Sequence, residues 1–276
     1  MLRIDAHQHF WKFDPVRDSW ITDEMSIIKK DFLPKDLQAL LLQNRFNGSV
    51  VVQSDQSEKE NEFQLINAGK NDFIKGVVGW VDLQLYNIDE RLSFYSAFRK
   101  MKGFRHVLQA EADRAMMLEP DFMKGISQLE KYGFTYDILV HDDQLKYIPE
   151  FVDAFPNQKF VVDHIAKPQI KKGEISNWKK EIKKVAACEN VFCKISGMVT
   201  EADWKHWKRE DLTPYIDVVV EAFGTKRIMY GSDWPVCLVA GSYENVLEVV
   251  QDYFTSFSKR EQDLFFGGNA IRFYNL

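Results

Sequence analysis

Four histidines and one aspartate stand where short β-branched runs end. His7 and His9 flank Gln8 in IDAHQHFW, and a spacing of two puts both imidazoles on the same side of an extended backbone. His141 closes TYDILVH, His164 closes KFVVDH, and Asp233 follows RIMYG in GSDWP. Neutral imidazole and carboxylate suit zinc or a related divalent ion. His7, His9, His141 and Asp233 form one candidate ligand set with a position left for water, whose pKa the ion would lower. His164 then falls one step away, against the substrate or beside a ligand. A single histidine at a strand end is more commonly a hydrogen-bonded structural group. Five such residues gathered at four strand ends are less readily read that way.

Eight strands are expected to position them: Arg3–His7, Gly48–Gln53, Gly76–Val81, Gly103–Leu108, Thr135–His141, Lys159–His164, Val191–Ser196 and Arg227–Gly231. Short apolar runs followed by Gly, Asp or Ser read as buried parallel strands. Helical patterns fill the gaps. PKDLQALLLQN sets Leu37, Leu40 and Leu41 on one face behind Pro34, and IDERLSFYSAFRK carries Ile88, Leu92, Tyr95 and Phe98. EPDFMKGISQLEKYG is expected to end at Gly133, and GNAIRFYNL to form a terminal helix. NWKKEIKKVAACEN, TPYIDVVVEAFG and SYENVLEVVQDYF supply the later members. The reading is an α/β chain, a single (β/α)8 barrel domain over residues 1–276, with an open doubly wound sheet as the alternative. A barrel is preferred because its strand ends converge at one mouth.

Composition narrows the function. With 36 Lys plus Arg against 41 Asp plus Glu, the formal net charge is -5, which argues against a nucleic-acid partner. The lysines of KKGEISNWKKEIKK read as the wet side of a helix. No apolar run reaches the roughly 18 residues of a membrane span, and MLRIDAHQHFW has no signal-peptide pattern, so a cytoplasmic location is expected. Cys188, Cys193 and Cys237 make neither a disulfide framework nor a nucleophile motif. A homodimer is expected only in that symmetric pairs are the commonest oligomers; no segment specifies an interface.

Further polar residues cluster near the strand ends. Arg105 lies in an apolar strand, where an unpaired guanidinium is costly; a substrate oxygen, or a salt bridge to Asp5 or another barrel acid, would resolve that cost. His106 should point the other way unless the strand bulges. Gln53 and Gln56 could bind hydroxyls, and Trp80 could wall the pocket. Lys167 could orient a carboxylate or Asp163. Lys194 and Ser196 come from the seventh strand. Trp204 reads as a residue of a capping loop, and Trp11, Trp20 and Trp234 as an aromatic entrance or as ordinary packing.

IDAHQHFW, GFRHVLQ, FVVDHIAKP, CKISGMVTEADW, GSDWPV and FFGGNAIRFY together resemble the amidohydrolase superfamily, in its branch of sugar lactonases, from Ile4 to Tyr274. The resemblance implies a distorted barrel in which His7 and His9 are the first-strand metal-binding histidines, His141 and His164 match the fifth- and sixth-strand histidines, and Asp233 activates the attacking water; Asp233 and His164 are the expected catalytic residues. Two-metal members carry a carboxylated lysine on the fourth strand, where GFRHVL offers Arg105 and His106 instead. One divalent ion, zinc first, is therefore expected, and the branch also includes metal-independent lactonases. The implied reaction is opening of an aldonolactone to its hydroxy acid, with Arg105, His106, Gln53, Trp80, Lys167 and Trp204 as substrate contacts. The alternatives are a metal-dependent decarboxylase of an aromatic or unsaturated acid, and a sugar-binding barrel without turnover.

Overall fold

The computed structural model describes residues 1–276. Eight parallel strands follow one another in chain order around the sheet. They are β1 (Ile4–Gln8), β2 (Gly48–Val52), β3 (Ile74–Gly79), β4 (Met101–His106), β5 (Thr135–Ile138), β6 (Phe160–Val162), β7 (Val191–Ile195) and β8 (Ile228–Tyr230). The helices are α1 (Pro34–Gln43), α2 (Glu58–Lys70), α3 (Ile88–Ser96), α4 (Pro120–Ile126), α5 (Ile148–Asp153), α6 (Ser176–Ala186), α7 (Arg209–Phe223), α8 (Tyr243–Tyr253), α9 (Lys259–Asp263) and α10 (Asn269–Tyr274). This is a (β/α)8 barrel with short later strands. None of its helices is long and apolar enough to cross a membrane.

The barrel closes unevenly. β8 does not pair with β1 along its length. Instead the segment after β8 bonds to the end of β1: Asp233 N donates to His7 O at 2.8 Å and His9 N to Trp234 O at 2.7 Å. Gly231 permits this approach, since a Cβ there would lie 2.5 Å from His7 Cβ. Asp5 latches the seam from the outer side. Its Oδ1 accepts from Ser232 N at 2.9 Å and its Oδ2 from Tyr243 Oη at 3.2 Å, on α8. At the opposite end α10 plugs the barrel, with Ala270, Phe273 and Tyr274 packed on Ile4, Val50 and Met229.

Two local departures from the expected pattern have clear causes. α2 shows little apolar periodicity because much of its buried face is polar: Glu60, Asn61 and Gln64. Gln64 Nε2 donates to Phe10 O and Asn61 Nδ2 to Trp80 O, both at 2.7 Å, so this helix braces the loops after β1 and β3. The segment 120–133 is not one helix. α4 stops at Ile126, and a separate turn, Glu130–Tyr132, ends at left-handed Gly133, the expected terminator. α6 buries Trp178, Ile182 and Val185 and leaves its lysines on the wet side.

Candidate active site

β1 slips register against β2 between Asp5 and Gln8. Ala6 belongs to the interior apolar cluster, and His7 also turns inward, onto Lys194 and Asp163. His9, two residues on, joins it at the mouth. β6 ends at Val162, before His164. The chain then runs through four left-handed residues, His164 to Lys167, with φ of 53, 48, 60 and 47°. Such a run costs roughly 1–2 kcal/mol per residue, and strain of this kind collects at functional sites. It swings His164 over the barrel axis, where its Nδ1 meets Ser196 Oγ at 2.9 Å. Gly197 makes room, because a Cβ there would stand 2.5 Å from His164 Nδ1 and its own φ is +58°. Asp233, also left-handed at φ 58°, follows β8.

These residues converge. Ligand atoms of His7, His164 and Asp233 lie within 4.8 Å of one another, and all three residues are buried. Asp233 Oδ1 is 3.4 Å from His9 Nε2, 3.8 Å from His7 Nε2 and 3.9 Å from His164 Nε2. His9 Nδ1 lies 2.7 Å from Val52 O. A carbonyl only accepts, so that nitrogen carries the hydrogen and Nε2 presents a bare lone pair. This lone pair points at Asp233 and, at 3.2 Å, at His7 Nε2.

Beneath the cluster lies a buried ionic layer. Arg105 Nη1 bonds Asp163 Oδ2 at 3.1 Å, and its Nη2 donates to Gln53 O at 2.5 Å. Lys194 Nζ is 2.5 Å from Asp137 Oδ2 and 3.0 Å from Asp163 Oδ1. Tyr274 Oη donates to Asp137 from the plug helix. Arg105 thus finds its acid in Asp163, not Asp5, and two cations balance two anions. Asp233 has no Lys or Arg partner, only imidazoles. Converging lone pairs around an unpaired buried carboxylate fit one divalent cation, with His7, His164 and Asp233 as donors and His9 alongside.

Burial pushes His7 well below the ordinary imidazole range and brings His164 down to about 4, so both are neutral donors near pH 7. Burial works against the charge of Asp233, but His164, His9 and His7 outweigh it and hold the carboxyl far below the usual range.

The remaining expected residues spread more widely. His141 is not in the cluster. β5 ends at Ile138, so His141 falls on the next turn, its half-buried ring near Lys167, Arg114 and Asp143. Lys167 is a charged neighbour of both His164 and His141 and pairs with Glu201 at 3.5 Å. β4 pairs regularly with β5, so His106 takes the face opposite Arg105. There it packs on Phe122 of α4, accepts from Trp80 Nε1 at 3.3 Å and bonds Glu111 Oε1 at 2.7 Å. Gln53 is fully buried, its Nε2 donating to Arg105 O, with Oε1 unpartnered. Gln56 accepts from Val107 N. Trp204 donates to Thr200 O within its own loop. Trp11 and Trp234 are packed among Phe10, Phe32 and Trp20 rather than lining an entrance; only Trp20 is exposed, at 41%.

Asp137, Tyr274 and Glu111 were missed in the sequence. Asp137 had the same signal that exposed Arg105, a charge inside an apolar strand run.

An eight-stranded parallel barrel with a histidine–aspartate cluster at the C-terminal mouth of its strands defines a class of barrel enzyme that activates water beside a cation. The match is specific: the amidohydrolase family model covers residues 4–276, and the chain belongs to that family. The L-fucono-1,5-lactonase of Burkholderia multivorans is 36% identical, covering 100% of this chain and 96% of its own. That of Burkholderia ambifaria is 34% identical, over 99% of this chain and 96% of its own. A solved amidohydrolase structure from Burkholderia multivorans with bound zinc superposes with a TM-score of 0.95 at 37% identity, each chain covered in full.

Proposed function

We propose that this protein is a lactonase that opens a sugar-derived lactone, an aldonolactone of the L-fuconolactone kind, to its hydroxy acid. The observation that carries the reading is Asp233, a buried carboxylate facing three imidazoles with no Lys or Arg to neutralise it. Full-length likeness to two L-fucono-1,5-lactonases supplies the substrate class.

A lactone is a cyclic ester, so its hydrolysis needs an activated water and a stabilised carbonyl oxygen. A bound divalent ion, zinc first, would acidify the water and polarise the carbonyl; His7, His164 and Asp233 would hold it, with His9 beside them. Asp233 then takes the proton of the attacking water and hands it to the ring oxygen as the C–O bond breaks. A carboxylate is a weak base toward free water, which is why its water must be acidified or tightly oriented. His9 is oriented for this work by Val52 O. Lys167, through its place between His164 and His141, meets the lactone or the new carboxylate, with Trp80 and Trp204 as apolar contacts. Arg105 and His106 act from behind, the first through Asp163 and His7, the second through Trp80.

The test is acid release from a panel of aldonolactones, run with zinc-supplemented and metal-stripped protein. Opening of 6-deoxysugar lactones well above their spontaneous rate is expected. No turnover on any sugar lactone, or carbon dioxide release from aromatic acids instead, overturns the reading.

A further inference from the structure

Glu201 and Lys167 face each other across the loops that follow β7 and β6. Their head groups are 3.5 Å apart, and the side chains are only 21% and 18% exposed. That separation lies outside the roughly 2.7–3.2 Å of a formed N–H···O bond, and neither head group has another hydrogen-bond partner. The turn Val199–Glu201 is held over the reactive cluster. It packs against Val236–Val239, the turn just after Asp233, and it follows Ser196 and Gly197, which press on the His164 imidazole. Thr200 Oγ1 donates to Gly197 O at 2.6 Å and Trp204 Nε1 to Thr200 O at 2.8 Å, so carboxylate and indole ride on one fixed loop. Burial pushes the Glu201 carboxyl above its ordinary range; Lys167 opposes that shift, and the charges of Asp233 and Asp142 add to it.

We infer that Glu201 is a specificity-determining residue: its carboxylate accepts the hydroxyl hydrogens of a polyol ring bound over Asp233 and turns away lactones that carry a free carboxylate. The inference rests on the lactonase reading above and deepens it. A carboxylate offers about four acceptor sites, and Lys167 occupies at most one. A largely dehydrated acceptor without donors is costly. An ester group has no hydrogen to give, so the donors that fill Glu201 come from ring hydroxyls. Two hydroxyls on neighbouring carbons match the two oxygens of one carboxylate. A substrate carboxylate in the same place would meet Glu201 and Asp142, with Lys167 as the one ammonium facing it. The nearby guanidinium groups are engaged elsewhere, Arg114 with Asp143 and Gln144, and Arg105 with Asp163.

The test compares acid release from an aldonolactone with that from the aldarolactone whose terminal carbon is a carboxylate, on wild type, Glu201→Gln and Lys167→Met. Wild type should prefer the aldonolactone by at least about tenfold in kcat/KM. Glu201→Gln should raise KM for the aldonolactone at least about tenfold, the scale of one charge-assisted hydrogen bond, with kcat within about threefold. The same variant should shrink the preference against the aldarolactone by a similar factor. Lys167→Met should move that preference the opposite way, because it removes the cation and leaves the acid. A glutamate that merely anchors Lys167 would make the two substitutions act alike, and that result refutes the assignment, as does an unchanged KM in Glu201→Gln. No turnover by wild type on any lactone overturns the lactonase reading itself, whereas turnover without preference between the two lactones overturns this inference alone. The wild-type comparison needs no variant, so it decides the matter should Glu201→Gln fail to fold.

Discussion

Asp233→Asn keeps the shape of the side chain and removes its charge and basicity. The carboxylate lies 3.4–3.9 Å from three imidazole nitrogens and has no other polar side-chain partner able to take over a proton. Loss of a general base costs roughly 10²–10⁴-fold. The middle of that range, about 10³-fold in kcat, corresponds to about 4 kcal/mol at 1.36 kcal/mol per decade. Because the three histidines hold the carboxyl far below its ordinary range, the wild-type group is already ionised at every working pH. The defect should therefore persist as pH rises. The assay is pH-stat acid release with spontaneous lactone opening subtracted, alongside circular dichroism and zinc content. Turnover within about threefold of wild type, or recovery near pH 9, would refute Asp233 as the base.

Other perturbations read different parts of the same site. Gly197→Ala places a methyl group 2.5 Å from His164 Nδ1 at a φ of +58°; it should cost about 1–3 kcal/mol in urea unfolding and at least tenfold in kcat, and an unchanged kcat would show that His164 need not hold its place. In metal-free protein His164 has its pKa lowered by burial from 6.5 to about 4. The unfolded chain then binds the extra proton first, so stability falls as pH drops from about 6.5 to 4, by about 3 kcal/mol at 1.36 kcal/mol per unit. His164→Gln should flatten that slope, and an equally steep slope in the variant would assign it elsewhere. Asp5 behaves in the opposite sense. Burial raises its pKa from 3.8 to about 6, so its charge becomes a penalty as pH climbs through that window. Asp5→Asn should gain on wild type by up to about 3 kcal/mol between pH 4 and 7, and a constant difference in stability across that range would contradict the buried-carboxylate account.

The barrel was legible because its strands are short, apolar and bounded by small residues, and because most helices show one apolar face. α2 was not, since Glu60, Asn61 and Gln64 satisfy backbone groups across the loops; hydrogen bonding leaves no hydrophobic period to read. Strand ends were set two to three residues late at β5 and β6, and the two errors had different effects. His164 returns to the axis only through a left-handed turn, which no period-two reading contains. His141 has no such turn and lands outside the cluster. The pairing of His7 with His9 followed from their spacing, but the register slip that directs them inward depends on how β1 meets β2. Arg105 was recognised as a charge in need of a partner, while the identity of that partner, Asp163, is a property of the closed barrel.

The seam between β1 and the segment after β8 has a consequence for how the chain matures. His7 and Asp233 are held together by a backbone bond that spans nearly the whole polypeptide, so the reactive constellation exists only after the last βα unit is in place. Contacts so remote in sequence form late and slowly. Nascent or truncated chains that stop before β8 would expose two raw sheet edges, at β1 and β7, which are templates for mispairing between molecules. Catalytic competence in this barrel thus doubles as a report that synthesis and closure have both been completed.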